Sequence, residues 1–235
     1  MKPSVHLDVP LGAEKVLLHT CCAPCSSAVV ECLMDNGIRP TIFYSNSNIF
    51  PREEYDHRLN ECIRYALKWG IPIVDDAYDH DDWEGCAAGL ENEPERGGRC
   101  LNCFKYRLLR AARYASENGF PVLTTTLASS RWKDLSQVDA AGRVAVERYS
   151  PPMNASLRSA PPLASQSEAP VPPLIVPRVA EFPGGEYLPT ETLRQLVWWN
   201  QNWRKGGMQE RRIFLIKSCA LYNQTWCGCE FSSHE

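Results

Sequence analysis

The stretch Val16-Leu17-Leu18-His19-Thr20-Cys21-Cys22-Ala23-Pro24-Cys25-Ser26-Ser27 decides the reading of this chain. Val16-Leu17-Leu18 is an apolar run of strand length, and it ends at two adjacent cysteines. Pro24 and Ser26 then open an amphipathic segment whose apolar positions Ala28, Val29, Cys32 and Leu33 recur at helical spacing, closed by Gly37. Three thiols therefore fall in a strand-to-helix turn, where sites in open α/β sheets usually lie. Neighbouring side chains on a strand point to opposite faces, so Cys21 and Cys22 reach one centre only if the chain bends there. The helix amino terminus adds a partial positive charge that favours thiolate.

Working outward, Thr41-Ile42-Phe43-Tyr44 reads as a second strand and Ile71-Pro72-Ile73-Val74 as a third. Between them Pro51 opens a helix with the stripe Tyr55, Leu59, Cys62, Ile63 and Ala66, ended by Gly70. Cys32 and Cys62 lie on such stripes and read as core. A short helix is predicted around Trp83–Leu90, and Cys100-Leu101-Asn102-Cys103 opens another with inner face Phe104, Leu108 and Ala115. Pro121–Thr126 is a fourth strand and Lys133–Gly142 a short helix; Thr190–Trp203 and Met208 to about Tyr222 are predicted helical. Strands alternating with helices give an α/β class. The sheet is expected to be mostly parallel and doubly wound, Rossmann-like or nucleotide-hydrolase-like, with helices on both faces and a helical C-terminal part. The expected division is an α/β core over 1–149, a Pro-rich insertion over 150–185, and a C-terminal segment over 186–235 packed on the core.

A chain of 235 residues with 44% apolar content can bury one sizeable core. No apolar run approaches the roughly 18 residues of a membrane span. Met1–Asp8 carries no signal-peptide h-region, so a reducing cytoplasm is the expected setting. The eleven cysteines are odd in number, which excludes a fully paired framework and favours ligand or redox roles. The net charge of −3 conceals patches: Asp75–Glu95 is acidic, whereas Arg99–Arg113 and Arg204–Lys217 are basic. Such patches engage phosphates or are simply solvated helix faces.

The cysteines outside the helical stripes form three groups: Cys21, Cys22 and Cys25; Cys100 and Cys103; Cys227 and Cys229. The first two would lie on one rim of a doubly wound sheet, where four thiolates can hold a [4Fe–4S] cluster or a zinc ion. Cys227-Gly228-Cys229 can close only a very small, labile disulfide loop; a pair of zinc ligands is the alternative.

Several motifs together resemble the cobalamin-independent epoxyqueuosine reductases, enzymes that complete queuosine in tRNA. They are His19–Ser26; Tyr44, Asn46, Asn48-Ile49 and Pro51 with Glu54-Tyr55 and Arg58; Tyr78-Asp79; Arg99-Cys100 with Cys103-Phe104 and Arg107; Thr124–Leu127; and Cys227–Ser232. The resemblance implies an iron–sulfur oxidoreductase acting at the anticodon wobble position. It also implies that Cys21, Cys22, Cys100 and Cys103 bind a [4Fe–4S] cluster and that Cys227 and Cys229 form a redox-active disulfide. After the Thr-Thr-Thr strand the family usually has Ser-Pro-x-x-Lys or Ser-Pro-x-Lys, where this chain has Ser130-Arg131-Trp132-Lys133.

Removing an epoxide oxygen as water takes two electrons and two protons, which a dithiol supplies and a cluster can relay singly. Five thiols compete for four cluster places. Cys25 is therefore expected beside the cluster, on an additional iron or as a proton donor. Asp79 is a candidate catalytic group, and His19 a candidate for proton transfer or for orienting a ligand; for each the alternative is a structural hydrogen bond. A tRNA partner calls for cations and aromatic platforms: Arg107, Arg110, Arg204, Lys205, Arg211 and Arg212 for phosphates, and Trp132, Trp199 and Trp203 for stacking, with a core position the equal alternative for Trp199. An electron donor is a further required partner. The competing reading is a non-catalytic zinc-binding or tRNA-binding α/β protein.

Overall fold

A computed structural model describes residues 5–150 and 195–232. The Pro-rich insertion lies outside the described residues from 151 onward, as does the first part of the predicted 190–203 helix. In chain order the elements are β1 (Lys15–His19), α1 (Ala23–Asp35), β2 (Arg39–Tyr44), α2 (Arg52–Trp69), β3 (Ile73–Asp75), α3 (His80–Ala87), α4 (Gly98–Glu117), β4 (Val122–Thr125), α5 (Leu135–Tyr149), β5 (Val197–Trp198) and α6 (Met208–Ser218). A 3-10 turn, Thr126–Ser129, follows β4 directly.

Among the described residues, five strands form one sheet in the order β3-β2-β1-β4-β5, and every pairing is parallel. Alternation along the strands sends Val16, Leu18, Ile42 and Tyr44 to one face, into a core shared with residues of α1, α2 and α6. Leu17, Phe43 and Leu123 face the other side, against α4 and α5. Apolar side chains on both faces explain why the strands read as continuous apolar runs. Each large aliphatic side chain so buried contributes about 1.5–3 kcal/mol relative to exposure. Cys32 and Cys62 are buried in the first core, as their helical register required.

Two expectations are corrected. Among the described residues, the predicted helix ending at Trp203 contains a strand, β5. Val197 N donates to Pro121 O at 2.9 Å and Trp199 N to Leu123 O at 2.8 Å. The open edge of β4 supplies the pairing that local spacing could not reveal. Trp198 lies across Gly142, where an added Cβ would fall 2.1 Å from the indole, and its Nε1 donates to Asp139 at 2.8 Å. Second, α5 starts at Leu135 and runs to Tyr149, because Asp134 caps it by accepting from the Ser136 and Gln137 amides and apolar residues continue past Gly142.

Candidate active site

β1 has β2 on one side and β4 on the other, so strand order reverses beside it and a crevice opens at the carboxyl ends of β1 and β4. Cys21 follows β1 into this crevice. Its amide donates to Thr126 Oγ1 at 3.1 Å, and its Sγ lies 3.4 Å from the same oxygen. Cys22 is the N-cap of α1 in an extended conformation, with Ala23-Pro24 opening the helix, and this bend brings the Cys21 and Cys22 sulfurs to 3.9 Å. With Cys25 one turn into the helix, all three sulfurs lie within 4.8 Å of one another. Hydrogen bonds from Cys22 and Cys25 hold the Cys21 thiol well below its ordinary range. Bonds with Cys21 and Cys25 push Cys22 up, and the bond with Cys21 raises Cys25 to about 11. One thiolate clasped by two thiols is a group able to hold a metal.

A cavity of about 300 Å³ opens above this group. It is lined by Cys21, Cys22, Cys25, Cys100 and Cys227, by the cations Arg58, Arg96, Arg107, Lys133 and Arg212, and by one carboxylate, Glu95. Phe104, Trp132 and Trp226 supply its aromatic walls. Cys100 and Cys103 sit in the first turns of α4, and Arg96 N donates to Cys100 Sγ at 3.3 Å. Cys103 is buried, packed with Trp83, Ala87 and Cys229, and is not one of the sulfurs within 4.8 Å of one another.

The C-terminal tail crosses the cavity as a strap. Phe50 N donates to Gly228 O at 2.9 Å, Arg58 Nη1 to Cys227 O at 3.2 Å, and Glu230 meets His80 Nε2 at 3.1 Å. Beyond these, Phe231 stacks on Trp83 and Ser232 Oγ donates to Glu95. Cys227 faces the cavity while Cys229 is buried behind it, and both are free thiols. The bond from Cys229 holds Cys227 well below the ordinary thiol range, with Lys133 helping, and Cys229 is driven up in consequence. Lys133 lies over the Phe104 ring, 5.5 Å from its centroid. Burial works against its ammonium, but the neighbouring Cys227, Cys21 and Cys103 outweigh that and leave its pKa raised.

Other sequence candidates take structural positions. His19 is fully buried, with Nδ1 2.7 Å from Thr125 Oγ1 and Nε2 3.2 Å from Ser45 O. A carbonyl only accepts, so the proton is on Nε2; burial and Arg107 lower the pKa to about 3 and keep the ring neutral. Asp79 caps α3, accepting from Asp82 N at 3.0 Å, and does not line the cavity. Arg107 is 2% exposed and donates to Ser45 O and Asn46 Oδ1. Arg110 pairs with Asp76, Arg211 grips Glu31 through two bonds, and Arg212 donates to Pro24 O. Arg204 binds the carbonyls of Ser130 and Lys133. Lys205 is exposed. Trp132 is 55% exposed at the cavity, whereas Trp199 and Trp203 are core side chains, 5% and 2% exposed; this is the alternative given for Trp199 and corrects the expected stacking role of Trp203. Arg58, Gln224 and Trp226 were not picked out as cavity residues; adjacency to Cys227 was the available signal for the last two.

A doubly wound parallel sheet with a thiol-lined, cationic cavity at its switch point defines an α/β protein equipped for metal or redox chemistry. A profile of the family "Epoxyqueuosine reductase QueH" matches residues 16–161 and 187–235. Relatives bearing that name include the protein of Histophilus somni, 40% identical over 226 residues, covering 96% of this chain and 75% of the relative. The Haemophilus influenzae protein is 38% identical over 226 residues, with 96% and 74% covered. That of Acinetobacter baylyi is 38% identical over 231 residues, with 98% and 86% covered. This chain belongs to the QueH epoxyqueuosine reductase family.

Proposed function

We propose that this chain reduces the epoxide of epoxyqueuosine at the tRNA wobble position to the alkene of queuosine. The observation that carries the reading is the convergence on one cavity of the Cys21, Cys22 and Cys25 sulfurs, Cys100, and the strap thiol Cys227. Family membership supplies the substrate class. Residues 1–149 and 186–235 act together, the second carrying the strap over the first.

The sulfur trio fits a metal-binding group, and Cys100 on the same cavity wall extends it. Cys21, Cys22, Cys100 and Cys103 would hold a [4Fe–4S] cluster, which supplies single-electron relay and a Lewis-acidic iron when bound. Cys25 stands beside it, as a ligand to a further iron or as a proton donor. Cys227 and Cys229 supply two electrons and the Cys229 proton: with one further proton from a cavity group, the epoxide oxygen leaves as water as their sulfur–sulfur bond forms. An external electron donor then restores the dithiol, and a reducing cytoplasm suits that cycle. The positive charge around the cavity draws in the RNA backbone, the exposed Lys205 meets a phosphate, and Trp132 offers a face to an unstacked base.

The test is anaerobic reconstitution with iron and sulfide, followed by incubation with tRNA carrying the epoxide. A brown protein that yields queuosine supports the reading. A colourless zinc protein that binds the tRNA and leaves the epoxide intact would establish the non-catalytic alternative.

A further inference from the structure

Two arginines grip every carbonyl of the loop Ser130-Arg131-Trp132-Lys133. Arg204 donates to Ser130 O and, at 2.6 Å, to Lys133 O. Arg96 donates to Arg131 O at 3.4 Å and, through Nε, to Trp132 O at 3.0 Å. Such a loop has little conformational freedom left. Ser130, Trp132 and Lys133 of this loop line the cavity. The ammonium rests over Phe104 and, among the described residues, has no carboxylate partner. The other cavity cations are engaged with oxygens of the chain: Arg58 with Glu54 and Cys227, Arg107 with Ser45 and Asn46, Arg212 with Pro24, and Arg96 with the loop itself. A pinned ammonium without a carboxylate, on the wall shared by Cys21 and Cys227, is placed to serve an oxygen atom arriving there.

We propose that Lys133 is a catalytic residue that donates a proton to the epoxide oxygen as its first carbon–oxygen bond breaks, and that Arg204 and Arg96 position it by clamping the loop. This rests on the reductase reading. As the ring opens, the oxygen takes the Lys133 proton and becomes a hydroxyl. As the second carbon–oxygen bond breaks, the hydroxyl leaves with another proton as water and the carbon–carbon double bond forms. Cys227, already a thiolate, and Cys229 close their disulfide and give up two electrons and the single proton of Cys229. That proton completes the water, and a proton from solvent returns to Lys133. The sum is epoxide plus thiol, thiolate and one solvent proton to alkene, disulfide and water.

The experiment is single-turnover reduction by the reconstituted holoenzyme, comparing wild type with Lys133→Met, Lys133→Arg and Lys133→Ala. A general acid contributes about 10²–10⁴-fold, so Lys133→Met should lose that much rate with iron content unchanged. Lys133→Arg should be slow as well, because a guanidinium keeps the charge but does not release a proton (pKa above about 12). Small primary amines should restore part of the Lys133→Ala rate. Arg204→Met should lower kcat and leave KM for the tRNA unchanged, which an RNA-contact role for Arg204 would not do. A Lys133→Arg enzyme at wild-type rate, or Lys133→Ala with full iron that no amine rescues, overturns the proposal. If wild type itself forms no queuosine, the reductase reading fails and takes this step with it.

Discussion

Arg58 Nη1 donates to the carbonyl oxygen of Cys227 at 3.2 Å, joining α2 to a residue 169 positions further along the chain. Glu54 holds the guanidinium from the other side, accepting from its Nε at 2.6 Å. The strap that carries the dithiol is thus fastened to a buried ion pair on α2. Gly228 fits under this contact with φ 94, and an added Cβ would lie 2.9 Å from both Arg58 Nη1 and Ile49 Cγ1.

Gly228→Ala is therefore expected to loosen the strap through both the left-handed backbone and the collision. The cost is at least about 1 kcal/mol. A melting temperature lower by about 2–4 °C should accompany it, with a larger loss of turnover than of stability. Wild-type melting and wild-type kcat in this variant would show that the strap geometry does not matter.

Thiol chemistry should distinguish the two strap cysteines. Cys227 faces the cavity with its pKa depressed, while Cys229 is buried and raised. An ordinary thiol loses about tenfold in thiolate for each pH unit below its pKa of roughly 8.5. A depressed thiol keeps its anion until pH falls through the lower folded value. Iodoacetamide should label Cys227 before Cys229, with a rate nearly flat from pH 8 to 7. Prior labelling of Cys229, or a tenfold fall across that unit at Cys227, would contradict the assignment.

The basic residues of the C-terminal segment should separate by function. Arg211 and Glu31 form a largely buried pair between α6 and α1, with bonds of 2.6 and 2.7 Å. Arg211→Ala leaves Glu31 without its partner, so denaturant titration should record a loss of about 1–3 kcal/mol. Lys205 is exposed, and Lys205→Ala should leave stability unchanged, weaken tRNA binding, and lower the salt slope by about one. Equal effects of both variants on stability would refute that division.

Residues 17–27 carried the topology, because an apolar strand, a thiol turn and a capped helix are all local patterns. The parallel sheet and its rim site follow from that pattern repeated along the chain. The edge strand was not legible: Val197-Trp198 is too short for any period, and its pairing depends on the exposed side of β4. Nor could spacing reveal that Trp199 and Trp203 face the core, that Arg204 clamps a loop, or that Cys103 packs beside Cys229. These are contacts across long sequence separations, which one-dimensional patterns do not encode.

The most direct measurement is a single turnover without added reductant. Reconstituted, pre-reduced protein is mixed anaerobically with stem-loop RNA carrying epoxyqueuosine, and product and thiols are counted by mass spectrometry. One queuosine per chain should form, with a disulfide appearing between Cys227 and Cys229 in equal amount. Queuosine formed while both thiols stay reduced, or thiols oxidised with the epoxide intact, would contradict the central claim that this dithiol drives the reduction.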